Sequence, residues 1–186
     1  MIDIIGLSGS LRGGSLNTAL LRAAAGLMPA QARLVPHSLH GIPLYDGDLE
    51  AAEGIPTAVA ALKDAIAAAD GLLLVTPEYN NSMPGVFKNA IDWLSRPSSD
   101  IALVFGGRPV GLVGASPGGF GTILAQDAWL PVLRTLGAQL WTGGRLMVSR
   151  AGGVFGPDGT LADAAVEKQL RGYLEGFVAF VEARRG

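Results

Sequence analysis

Residues 76–85, with the sequence TPEYNNSMPG, carry more fixed geometry and more polar backbone than a simple connection needs. Two prolines restrict the backbone, Tyr79 offers an aromatic face, and two asparagines favour turns. The preceding apolar run, residues 72–75, predicts a strand, and residues 86–95 predict an amphipathic helix. In an open parallel sheet, ligands bind at the carboxyl ends of the strands. The segment therefore predicts a binding loop for a flat ligand with polar edges.

A second polar loop, residues 8–17 with the sequence SGSLRGGSLN, joins a predicted strand to a predicted helix. The N-terminus of a helix presents free backbone N–H groups and the positive end of its dipole, so it favours an anion. Arg12 adds a charged fork of donors that matches phosphate geometry. The other side-chain donors are Ser8, Ser10, Ser15 and Asn17. We predict a site for a terminal phosphate; the alternative is that Ser15 or Asn17 only caps the helix.

The spacing of the glycines in residues 8–17 limits which phosphate-bearing ligands this loop can bind. Gly9 and Gly14 have the G-x-x-x-x-G frame of a P-loop. The required Lys and Ser/Thr are replaced by Ser15 and Leu16, so hydrolysis of nucleoside triphosphates is not expected. The loop also lacks G-x-G-x-x-G, and the predicted strand that ends near residues 36–38 offers no acid for a ribose, which leaves a dinucleotide site unsupported. A monophosphate with a planar group reaching residues 76–85 remains, and flavin mononucleotide (FMN) has that shape.

Residues 114–118 form a G-x-S-x-G motif around Ser116, as in the nucleophile turn of an α/β-hydrolase. That chemistry needs a histidine after the serine, but His37 and His40 both precede it. Pro117 is also a poor neighbour for a turn that supplies an N–H to an oxyanion. We therefore reject the hydrolase interpretation and predict that Ser116 begins a third loop at the same sheet edge, with a plain strand-to-helix turn as the alternative.

The elements that must position these loops alternate between strands and helices. Apolar runs predict strands at residues 2–7, 32–36, 72–75, 110–113 and 138–141. Helical spacing and turn signals predict helices at residues 16–27, 56–69, 86–95, 122–136 and 161–182. Residues 143–159 are irregular, with a small hairpin as one option. Five alternations predict an α/β fold with a doubly wound parallel sheet and right-handed crossovers, in one domain spanning residues 1–186.

Composition excludes several classes of protein. The chain has 186 residues, of which 49% are apolar and 16% charged, as in a well-buried globular domain. A net charge of −2 without basic runs gives no reason to expect nucleic acid. There is no cysteine, so disulfides and thiol catalysis are excluded. We expect no membrane span and, because no export signal is visible, a cytoplasmic location.

Three segments together carry a family resemblance: residues 9–17, residues 76–95, and residues 116–121, with the linking stretch at residues 42–46. In these segments the chain resembles the NADPH-dependent FMN reductase family, in the branch of bacterial chromate and quinone reductases and azoreductases. The resemblance implies a flavodoxin-like, doubly wound five-stranded parallel sheet of strand order 2-1-3-4-5 with helices on both faces. It also implies bound FMN and a homodimer or homotetramer.

The resemblance also assigns site residues, matched position by position. The phosphate loop corresponds to Ser10, Leu11, Arg12, Ser15, Leu16 and Asn17. The loop beside the isoalloxazine corresponds to Pro77, Glu78, Tyr79 and Asn80, and Ser116 is the third contact. Backbone groups of residues 78–80 are expected to hydrogen-bond the polar ring edge while Tyr79 packs against the flavin. Asn81 departs from the pattern, because some relatives have an aromatic residue there.

The resemblance implies a redox enzyme in which NADPH or NADH donates hydride to FMN and a quinone, an azo compound or chromate accepts the electrons. No catalytic side chain and no metal ligand is assigned, because the flavin carries the chemistry. Two alternatives stay open: a flavodoxin-type electron carrier, a class that is often more acidic than this chain, and a non-catalytic flavin-binding protein. On the helix at residues 86–95 we expect Ile91 and Trp93 in the core or a subunit interface, and a solvated pair of Lys88 with Asp92.

Overall fold

The computed structural model describes residues 1–185, so the last residue of the predicted domain lies outside the described residues. The strands are β1 (Ile2–Ser8), β2 (Ala32–His37), β3 (Gly71–Val75), β4 (Pro109–Ala115), β5 (Gln139–Leu140) and β6 (Leu146–Val148). The helices are α1 (Leu16–Gly26), α2 (Gly47–Glu53), α3 (Thr57–Ala67), α4 (Gly85–Leu94), α5 (Ile101–Val104), α6 (Ile123–Thr135) and α7 (Ala164–Glu182). Short 3₁₀ turns lie at Ser98–Asp100 and Ala151–Gly153.

All of these strands pair in parallel, in the order β2-β1-β3-β4-β5, which confirms the predicted flavodoxin-like order. The predicted number of five strands is wrong, because β6 also pairs with β4. The two short strands share one edge of β4: β5 pairs with Pro109 and Val110, and β6 with Val113 to Ala115. The hairpin suggested for residues 143–159 is therefore replaced in part by a parallel strand, although Phe155 and Leu161 do form an antiparallel bridge.

Between β5 and β6 the sheet edge is interrupted, and a side chain takes the place of the missing strand. The backbone N–H of Leu112 donates to the Tyr173 hydroxyl at 2.7 Å, and that hydroxyl donates to the Leu112 carbonyl at 3.2 Å. The Tyr173 ring is buried against Trp141 and Phe177. Burial raises the pKa of the Tyr173 phenol, so the hydroxyl keeps the proton that it donates.

Helices cover both faces of the sheet, as predicted. Residues that are adjacent along a strand enter opposite cores, as Ile4 and Ile5 do in β1. The first core packs β-sheet residues against α1 and α7, and the second packs them against α3, α4, α5 and α6. Ile91 and Trp93 of α4 are almost fully buried in the second core, which confirms their core assignment. Lys88 and Asp92 form the expected i, i+4 pair at 2.7 Å.

Two helices were missed because they carry little hydrophobic signal. None of the residues of α2 is buried, and α5 is a single four-residue turn. Asp46 caps α2 through a hydrogen bond from the N–H of Asp48 at 2.8 Å. The last helix begins three residues later than predicted, at Ala164, because Asp163 accepts hydrogen bonds from its first turn.

The sheet places three loops side by side, after β1, β3 and β4. These are the three loops that the sequence marked as polar, and they lie at the carboxyl edge of neighbouring parallel strands. Within residues 1–185, no helix combines the length and the hydropathy needed to cross a membrane.

Candidate functional site

A cleft at the carboxyl edge of β1, β3 and β4 brings together most of the predicted site residues. It encloses a cavity of about 70 Å³. The predicted residues that line it are Ser10, Arg12, Ser15, Leu16, Asn17, Pro77, Glu78, Tyr79 and Ser116. Two predicted residues lie elsewhere: Leu11 lines a neighbouring cavity, and Asn80 occupies an exposed turn outside the lining.

The loop after β1 is packed against the loop after β3. The backbone N–H of Gly9 donates to the Val75 carbonyl at 2.9 Å. A Cβ on Gly9 would lie 2.2 Å from Cδ1 of Phe87 and 2.8 Å from Cδ of Pro77, so no side chain fits without displacing its neighbours. This glycine is required for close approach, and the two loops form one wall.

The start of α1 is arranged to bind an anion. Ser15 caps the helix by accepting a hydrogen bond from the Thr18 N–H at 3.2 Å, and its own hydroxyl proton stays available. Among residues 1–185, the backbone N–H groups of Leu16 and Asn17 have no protein acceptor. The first turn of α1 contains no acidic residue, so nothing in that turn opposes an anion.

Arg12 is exposed at the rim of the cleft. Within the described part of the chain its guanidinium makes neither an ion pair nor a hydrogen bond. Its backbone N–H makes a long contact of 3.4 Å with Ser10 Oγ. An unpaired guanidinium beside free helix N–H groups is the donor set that a terminal phosphate monoester requires.

Two of the side chains expected to donate to the phosphate have protein partners instead. The Asn17 amide donates to the Ala115 carbonyl at 2.8 Å and accepts from the Ala115 N–H at 2.9 Å. Asn17 is buried and ties α1 to the end of β4. Ser8 Oγ lies 3.0 Å from Thr18 Oγ1. The side-chain donors left for an anion are those of Ser10, Arg12 and Ser15, while Asn17 offers its backbone N–H.

The loop after β3 contains a tight turn centred on the two asparagines. The Tyr79 N–H donates to the Ser82 carbonyl at 3.0 Å, and the Ser82 N–H donates to the Tyr79 carbonyl at 3.1 Å. Asn80 and Asn81 have φ values of 50° and 61°, which is the geometry of a type I′ turn. Asparagine tolerates this left-handed region, so Asn81 suits the turn.

This turn corrects one expectation for the flavin contacts. The backbone N–H and C=O of Tyr79 are used within the turn, so they are not free to bind the polar edge of a ring. In the described chain the N–H groups of Glu78 and Asn80 have no protein acceptor. The Tyr79 side chain is 45% exposed, which leaves its ring face accessible beside the cleft.

Glu78 has a role that sequence reasoning missed. Its Oε2 atom accepts hydrogen bonds from the Leu124 N–H at 2.9 Å and from the Ala125 N–H at 3.0 Å. The carboxylate therefore caps α6, whose own N-cap residue, Thr122, makes no side-chain capping bond. A negative charge at a helix N-terminus is favourable. Glu78 thus connects the loop after β3 to α6, 46 residues further along the sequence. A local sequence pattern cannot reveal a cap at that separation.

The loop after β4 is hydrogen-bonded to β6. The Ser116 N–H donates to the Val148 carbonyl at 2.9 Å, and Ser116 Oγ accepts from the Gly118 N–H at 3.1 Å. The two histidines lie at the opposite side of the site, where His40 Nε2 is 3.2 Å from the Leu11 carbonyl oxygen. Neither one contacts Ser116, in agreement with the rejection of a hydrolase.

A parallel sheet of order 2-1-3-4-5, with an anion site after β1 and a proline- and tyrosine-containing loop after β3, defines a flavodoxin-like flavin-binding protein. Residues 2–153 match the model of the family described as NADPH-dependent FMN reductase. The chain belongs to this family.

Relatives and solved structures agree with that assignment. An NAD(P)H-dependent FMN reductase of Pseudomonas aeruginosa is 41% identical over 185 residues, covering 100% of this chain and 98% of the relative. A quinone reductase of Escherichia coli is 37% identical over 185 residues, covering 97% of this chain and 96% of the relative. The structure of FerB, a flavoenzyme NAD(P)H:(acceptor) oxidoreductase of Paracoccus denitrificans, superposes with a TM-score of 0.86 at 34% identity and 99% coverage of both chains.

Proposed function

We propose that this protein is an FMN-dependent NAD(P)H oxidoreductase that reduces quinones or similar small-molecule acceptors. The observation that carries the proposal is the single cleft in which a phosphate-type anion site and an exposed aromatic loop face each other. Relatives of similar length and 37–41% identity are FMN reductases and quinone reductases. Azo compounds and chromate are further acceptors to test.

The donor set fits FMN. The phosphate would be held by Arg12, by the hydroxyls of Ser10 and Ser15, and by the free N–H groups of residues 16–17. Pro77 and Tyr79 would flank the ring, with Asn80 and Ser116 near it, and Leu11 would belong to the phosphate loop. When bound, the flavin supplies the centre that accepts hydride and passes electrons on.

The chain itself contributes position and electrostatics. Glu78 fixes the ring-side loop on α6, so the N–H groups of Glu78 and Asn80 are presented by a rigid backbone. Such donors stabilise negative charge at the polar edge of a bound ring. Tyr79 would offer an apolar ring face to the bound flavin at the edge of the cleft. No side chain needs to act as an acid or a base in this scheme.

An electron carrier of the flavodoxin type is the second candidate. The net charge of −2 and the exposed apolar side chains around α6 argue against it, because carriers of this type are often strongly acidic. The exposed apolar side chains around α6 are Phe120, Ile123, Leu124 and Leu130. They support the further proposal of a homodimer or homotetramer, and we also propose a single domain and a cytoplasmic location.

Purification with FMN, a visible spectrum, and oxidation of NADPH and of NADH in the presence of a quinone test the function. We expect a yellow protein. It should oxidise NADPH or NADH at a useful rate only when the quinone is present. An azo dye and chromate are assayed in parallel. A colourless protein after addition of FMN would refute the flavin site. Bound flavin without oxidation of either nicotinamide would favour the carrier or a non-catalytic binding protein.

A further inference from the structure

A second and larger cavity adjoins the phosphate loop on the side of β2. Its volume is about 450 Å³, against about 70 Å³ for the flavin cleft. It lies between the loop residues 10–13, one face of α1, and residues 36–40, which include the end of β2. We name it the β2-side pocket. Only Ser10 and Arg12 are shared with the cleft, so the proposed flavin contacts leave most of the β2-side pocket unused.

The β2-side pocket is lined by an unusual concentration of basic groups. Its basic residues are Arg12, Arg22, His37 and His40, and no carboxylate is among its lining residues. Within residues 1–185, neither Arg12 nor Arg22 forms an ion pair. Four other arginines do, namely Arg33, Arg96, Arg171 and Arg185. In a chain with a net charge of −2, this pocket therefore has a locally positive potential.

The volume of the β2-side pocket and its apolar lining residues indicate a ligand larger than a bare anion. Pockets for small organic ligands have volumes of roughly 300–1,000 Å³, and this one falls in that range. Its apolar lining residues are Leu11, Leu21, Pro36 and Leu39. Because Arg12 is assigned to the flavin phosphate, the guanidinium fork left for a second phosphate is that of Arg22, and the apolar wall suits a base or a ribose. Resting on the proposed FMN-binding function of the neighbouring cleft, we propose that the β2-side pocket binds the phosphate-bearing end of a second nucleotide beside the flavin.

His40 connects this pocket to the flavin site. Its Nδ1 lies 2.7 Å from Ser38 Oγ, and its Nε2 lies 3.2 Å from the carbonyl oxygen of Leu11 in the phosphate loop. The wall formed by residues 38–40 is therefore attached to the loop that holds the flavin phosphate. The phosphate chemistry has two possible sources: a 2′-phosphate, as in NADPH, or a 5′-linked phosphate, as in any adenine dinucleotide.

Isothermal titration of FMN-saturated protein tests the proposal, since FMN occupies the shared end of the loop. The probes are adenosine 2′,5′-bisphosphate, adenosine 5′-monophosphate and inorganic phosphate. The variant is Arg22→Gln, which changes a residue outside the flavin cleft. The matched control is Arg134→Gln, because Arg134 is exposed on α6, lies outside this pocket, and forms no ion pair in the described part of the chain. A second variant, His37→Gln, alters the opposite wall.

We expect the wild-type protein and Arg134→Gln to bind at least one adenosine phosphate, and Arg22→Gln to bind it at least about tenfold more weakly. Tighter binding of the 2′,5′-bisphosphate would show that the pocket binds a 2′-phosphate. Equal binding of both adenosine probes would show that it binds the 5′-phosphate. Equal affinity for inorganic phosphate would overturn the nucleotide assignment. Absence of binding by every probe would also overturn the proposal. Unchanged affinity in both Arg22→Gln and His37→Gln would overturn it too, and is the result expected if Arg22 instead pairs with Asp158 and Glu167 in the neighbouring groove. Failure of FMN to bind appears separately in the visible spectrum, and the same titrations on flavin-free protein then still report on the pocket.

Discussion

Replacement of Glu78 by alanine should loosen the ring-side loop and the start of α6 together. The Glu78 carboxylate accepts from two N–H groups at 2.9 Å and 3.0 Å, and within residues 1–185 no other side chain caps this helix. Loss of a capping side chain costs about 0.5–2 kcal/mol, and loss of the charge at the helix dipole about 0.3–1 kcal/mol. Because these two effects overlap in one carboxylate, we expect a decrease in the free energy of unfolding of about 1–2 kcal/mol.

For a chain of this length, that decrease corresponds to a fall in Tm of roughly 2–8 °C. The assay is thermal unfolding of the flavin-free protein, followed by circular dichroism, with FMN affinity measured by fluorescence quenching. Glu78→Gln keeps an oxygen acceptor and should lose only the dipole contribution. Glu175→Ala is the control, because Glu175 is exposed on α7 and has no hydrogen bond or ion pair in the described chain. Equal Tm values for Glu78→Ala and Glu175→Ala would show that the carboxylate does not cap α6 in solution.

Three further outcomes follow from the site and its surroundings. Arg12→Ala should weaken FMN binding by about 1.5–3 kcal/mol in a fluorescence titration, whereas Arg134→Ala should not; equal affinities would exclude a phosphate contact. Gly9→Ala places a Cβ 2.2 Å from an aromatic carbon and should lower stability to denaturant by about 1–3 kcal/mol; a stable variant would contradict the close packing. The hydrogen bond from Arg96 holds the pKa of Glu50 below its ordinary value of 4.5, so this carboxylate stabilises the fold at neutral pH and loses that effect as the pH falls below about 4.5. The stability difference between wild type and Glu50→Gln should therefore narrow between pH 7 and pH 3, and a constant difference would refute the linkage.

The sequence predicted the parts of the fold that depend on local pattern. Buried parallel strands such as β3, predicted at residues 72–75, are continuously apolar, and helices such as α3 repeat apolar residues at helical spacing, so their positions and order were confirmed. Elements with little buried surface, such as α2, left no such pattern. The sixth strand was missed because its three residues lie within residues 143–159, a stretch that the sequence marked as irregular.

Side-chain roles within the site were harder to predict, since they depend on partners brought close by the fold. The sequence placed Glu78 and Asn17 in binding loops, which is where they lie. It could not show that Glu78 caps a helix 46 residues away or that Asn17 holds Ala115 across 98 residues. Both side chains support the cleft from within, and each joins a ligand-binding loop to a neighbouring element. The donors that the protein leaves unsatisfied, at Arg12 and at the start of α1, are therefore the ones that a phosphate can use. Some polar residues of these loops build the cleft and others face the ligand. The two groups can be told apart only by their hydrogen-bond partners in the folded structure.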